Sequence, residues 1–85
     1  MHMTVAEIEA IIEEEKRSTC IECHNAAWAE GLLAGIEPQI IAESALSTAL
    51  SELGKGDGEE ALLSLLDRMR EQVIAGEFNP DRTRH

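Results

Sequence analysis

The stretch "TVAEIEAIIEEEKRSTCIECHNAAWAEGLLAGIEP", residues 4–38, decides the fold, because it reads either as one long helix or as two shorter ones. Thr4 and Glu7 stand in the spacing of a capping box, in which a hydroxyl and a carboxylate each bond the other residue's amide. Val5, Ile8, Ile11 and Ile12 then mark one face at helical spacing. Thr19-Cys20-Ile21-Glu22 repeats the capping pattern and is a place where a second helix could begin. No glycine or proline interrupts the run before Gly31, so the reading is a single helix over residues 5–34. Gly35-Ile36-Glu37-Pro38 then reads as a stop and a turn.

Working outward, "PQIIAESALSTALSEL" gives a second helix from Pro38 to Leu53. Proline suits a first turn, where its missing amide has no helical partner. Ile41, Ala42, Ala45, Leu46, Ala49, Leu50 and Leu53 cover a broad apolar face, so this helix is expected to be central and buried on more than one side. "GKGDG", residues 54–58, is a loop. Asp57 and Glu60 form a third capping pattern, opening a last helix from Gly58 to Ala75. Leu62, Leu63, Leu65, Leu66, Met69, Val73 and Ile74 are its core stripe, Gly76 ends it, and Phe78 is expected to fold back as a hydrophobic plug. The single domain spans residues 1–78, and residues 79–85 are a polar tail.

No strand-like alternation occurs. The fold expected is therefore all-α: a three-helix antiparallel bundle or array with a long first helix, completed by homodimerisation. Small chains of this length, 85 residues, often gain a sufficient core only by association. Apolar residues make up 44% and aromatics 2%, so the core must come from Leu, Ile and Ala.

The formal net charge of −10 disfavours nucleic acid, whose phosphates need Lys and Arg clusters, and anionic membrane surfaces for the same reason. No apolar run is long enough to span a membrane, and the N-terminus lacks the basic and apolar regions of a secretory signal. Two cysteines without an export signal fit reduced thiols in a cytoplasmic setting. There is no GxSxG elbow, phosphate loop or HExxH motif, so no enzymatic activity is expected.

Cys20-Ile21-Glu22-Cys23-His24 is the one chemical motif. Over these five residues the chain resembles c-type cytochromes. The resemblance implies thioethers from Cys20 and Cys23 to haem, His24 as proximal ligand, and Met69 or Met3 as the sixth. The near absence of aromatic residues leaves little to wall a porphyrin. Zinc is a second option for Cys20, Cys23 and His24, but a structural site needs four ligands, and His2 and His85 lie at the termini. A site shared by two chains of a dimer would complete the count. A thiol switch, with Cys20 in a first helical turn and Cys23 as the resolving thiol, is a third. Glu15, Glu22 and Glu30 share one arc of the helix but lack the Glu-x-x-His partners of a di-metal bundle.

The reading that results is a small acidic accessory or regulatory protein, non-enzymatic and homodimeric, acting through protein–protein contacts and needing no cofactor. Its expected interface is Ile21, Trp28, Leu32 and Leu33; the alternative is a metal-, haem- or thiol-redox module built on Cys20, Cys23 and His24.

Overall fold

A computed structural model describes residues 2–81. It is all-α, with three helices and no strand among those residues: α1 (Val5–Leu33), α2 (Pro38–Gly54) and α3 (Glu59–Ile74). By internal contacts the chain divides into two units, Met1–Glu43 and Ser44–His85, with the boundary inside α2.

In the first unit, α1 runs unbroken through Ser18-Thr19, so the long-helix reading holds and the Thr19 capping pattern goes unused. The Thr4 pattern is used in full. The Thr4 amide donates to Glu7 Oε1 at 3.0 Å, and the Glu7 amide donates to Thr4 Oγ1 at 3.1 Å. Arg17 reaches back four residues to Glu13 at 3.4 Å, an exposed pair worth little. The helix ends in a Schellman turn: the Ile36 amide donates to Gly31 O, the Gly35 amide to Leu32 O, and Gly35 takes φ +80°, which a side chain would resist. The chain then re-enters helix at Pro38. A Cβ on Gly31 would lie 2.8 Å from Ile41 Cδ1, so glycine is what lets α2 approach the backbone of α1. Gly31, Ile41 and Ala42 are the half-buried residues of this unit.

In the second unit the loop expected at 54–58 starts one residue later, since Gly54 closes α2. The Asp57 cap does not form. The Asp57 amide bonds Leu53 O, and the next residue must take φ +89° to enter α3, so Gly58 becomes the cap with no side-chain bond. Ordinary contact joins the end of α2 to α3, with Leu62 Cδ1 standing 3.6 Å from a Cβ built on Gly54. Leu50, Leu53, Ala61, Leu62, Leu65, Gln72 and Gly76 are half-buried. A second Schellman turn ends α3, with Gly76 at φ +79°.

Three packing expectations are corrected. The second helix is not buried on more than one side: only Ile41, Ala42, Leu50 and Leu53 are half-buried, because its first half meets α1 and its second half α3. The α3 stripe is covered only at Leu62 and Leu65, and Leu63, Leu66, Met69, Val73 and Ile74 remain exposed. Phe78 is exposed rather than folded in, since the Gly76 turn is followed by a tight turn that carries it outward: the Asn79 amide bonds Gly76 O. Most of the polar tail, including His85, lies outside the described residues.

Two outcomes follow from these local devices. Thr4→Ala is expected to cost about 1 kcal/mol by removing the cap. The Glu7 carboxyl is held below its ordinary range, first by the Thr4 amide and then by the Thr4 hydroxyl. The stabilisation is complete above the unfolded carboxylate value and is lost as pH falls through the lower folded one. Protection of the first-turn amides of α1, measured against their intrinsic exchange rate at each pH, should therefore fall on acidification, and Glu7→Gln should flatten that response.

At Gly31, alanine gains about 1 kcal/mol of helix propensity against a displaced Ile41 tip, so Gly31→Ala should change stability by less than about 1 kcal/mol. Gly31→Val has no such compensation and should destabilise by about 1–3 kcal/mol in urea unfolding.

Candidate interaction surface on the first helix

No described residue is buried, and eighteen large apolar side chains keep more than a third of their surface exposed. Eleven of these lie in the first unit, nine of them on or just before α1. The surface of that helix is therefore the candidate functional site.

The expected interface residues do not form a single patch. At about 100° per residue, Ile21, Trp28 and Leu32 share one side of α1, within about 40° of one another. Leu33 stands about 100° farther round and is 89% exposed. Trp28, at 39%, is the least exposed of the large apolar residues of α1, and it lies about 60° from Gly31, where Ile41 packs. The Trp28 side thus borders the chain's own packing, and Leu33 belongs to another face.

Cys20 and Cys23 are free and exposed on consecutive turns. The helix sets them about 60° apart, with His24 about 40° beyond Cys20 on the other side. Among the described residues no group of three or more His, Cys, Asp or Glu is placed to hold a metal ion. Their positions spread the three side chains over about 100° of one helix. Glu15, Glu22 and Glu30 are exposed along α1. On the same helix Arg17 pairs with Glu13.

A shallow, mainly apolar groove runs along α1, lined by Ile12, Glu15, Lys16, Thr19 and Cys20. Reading for chemistry passed over Lys16 and Thr19. The signal was present in the spacing, since residues 12, 15, 16, 19 and 20 follow the i, i+3, i+4, i+7, i+8 pattern of one helical face. No protein-family model, curated protein or solved structure matches this chain. Among the described residues no helix is long and apolar enough to cross a membrane.

The exposure of the motif is checked by thiol reactivity. In the Cys23→Ser variant, Cys20 is expected to react with Ellman's reagent in the folded protein within about twofold of its rate in urea. A protection of tenfold or more would mean that a ligand or a partner covers it.

Proposed function

We propose that this chain is a non-enzymatic accessory protein that works as a homodimer and acts through protein–protein contacts. The observation that carries the reading is the absence of any buried side chain among the described residues, beside well-formed helices with capped ends. Apolar burial is the main favourable term in folding, and helices of 16 or 17 residues hold poorly in water without it. Association with a second copy supplies the missing burial.

The acidic surface favours a partner protein with a basic contact face and disfavours nucleic acid. Ile21, Trp28 and Leu32 are the apolar side chains offered to such a partner. Free thiols at Cys20 and Cys23 suit a reducing, cytoplasmic setting. The competing reading, a cofactor module, rests on the same two thiols and His24, and it requires a second chain to complete the ligand set.

Native mass spectrometry of untagged protein purified without chelator separates these readings. The expected result is a dimer with no added mass, retained by the Cys20→Ser/Cys23→Ser double variant. Added mass matching zinc or haem, lost in the double variant, would replace the interaction reading with the cofactor one. A bare monomer at about 50 µM would refute the homodimer.

A further inference from the structure

The unused capping pattern Thr19-Cys20-Ile21-Glu22 and the thiol pair of Cys20 and Cys23 occupy the same turn of α1. Both thiols are free and exposed, and Cys20 lines the open groove beside Ile12, Lys16 and Thr19, where small molecules can reach it. On a helix, residues three apart hold their Cβ atoms about 5–6 Å from each other. A disulfide needs about 3.5–4.5 Å. Helical side chains also lean toward the N-terminus, which carries Cys23 toward Cys20 but Cys20 toward the turn before it. A bridge between the two therefore requires the backbone at Cys20 to leave helical geometry.

Little resists that departure at this place. Ending the helix at Ser18 and restarting it at Thr19 takes the amides of Thr19, Cys20, Ile21 and Glu22 from their helical acceptors. The capping box satisfies two of them again: the Glu22 amide donates to the Thr19 hydroxyl, and the Thr19 amide to the Glu22 carboxylate. Thr4 and Glu7 make the same exchange at the start of α1, at 3.0 and 3.1 Å. Every residue of α1 before Gly31 is exposed, and the contact of Gly31 with Ile41 lies beyond the break.

We propose that Cys20 and Cys23 form a reversible disulfide that breaks α1 at Ser18-Thr19, a redox-sensitive hinge with Thr19 as the cap of its second half. The oxidant is a low-molecular-weight disulfide of the glutathione class. The Cys20 thiolate attacks one of its sulfurs, the S–S bond breaks, and one glutathione leaves as thiolate. The Cys23 thiolate then attacks the Cys20 sulfur of the mixed disulfide and expels the second glutathione. The two protons lost by the cysteines end on the two glutathione thiols, so one disulfide is reduced as another is made. In a reducing compartment such bridges are transient and redox-sensing. The break leaves residues 5–18 as a fourteen-residue helix with no packed face, a length that is marginal in water. Residues 20–33 keep the Gly31–Ile41 contact. The hinge needs only one chain and stands apart from the homodimer reading.

The test equilibrates the full chain, at about 5 µM, in glutathione redox buffers, and reads the bridge by mass as the loss of two hydrogens. Backbone amide exchange, taken against intrinsic rates, then compares the reduced and bridged forms. An intramolecular bridge removed by dithiothreitol is expected, with protection over residues 9–21 lowered at least tenfold and that over residues 24–33 kept. A bridge that leaves protection over residues 9–21 unchanged would overturn the hinge. Glutathione adducts alone, bridges only between chains, or the same loss of protection in the Cys20→Ser/Cys23→Ser variant would overturn it as well. Thr19→Ala supplies the second measurement. It removes the cap of the broken form and should lower the equilibrium constant for oxidation about fivefold. An unchanged constant would overturn the break at Thr19.

Discussion

The unbroken run of backbone hydrogen bonds from Val5 to Leu33 is the constraint on which the rest of the molecule depends. Twenty-nine residues of helix extend about 43 Å. The other helices, at 17 and 16 residues, extend about 25 Å each. Neither is long enough by itself to cover α1 from end to end. A break at Ser18-Thr19 would have made Cys20 a first-turn residue and rotated Val5 and Ile12 out of line with Ala26 and Leu33.

What holds the helices to their neighbours is local and economical in area. Gly31 lets Ile41 come against the backbone of α1, Gly54 receives Leu62, and Gly35 and Gly76 end their helices in left-handed turns. These contacts fix direction more than they bury surface. The ion pairs are exposed and contribute little: Lys55 with Glu52, Arg17 with Glu13 and Arg70 with Glu71. The homodimer proposed above would add to these local devices by mass action.

The five-residue motif at Cys20 is the most conspicuous chemistry in the chain and the least developed in space. Cysteine and histidine at i, i+3 and i+4 share an arc of one helix, but ligands converge on a metal only when other elements contribute from the opposite side.

By itself the sequence determined the helices and their ends. The Thr4–Glu7 box, the stop at Gly35, the restart at Pro38 and the stop at Gly76 are short-range effects, in which each residue's backbone preference and hydrogen-bonding reach extend over a single turn. Only tertiary structure decided which apolar residues are covered, because burial depends on what another element brings to a face, and periodicity shows a face without showing its occupant. Thus Leu62 and Leu65 of α3 are half-covered while Leu63 and Leu66, equally apolar, are not. Asp57 lost its cap for a similar reason: the turn from Leu53 required a positive φ at the next residue, and that geometry gave the position to Gly58.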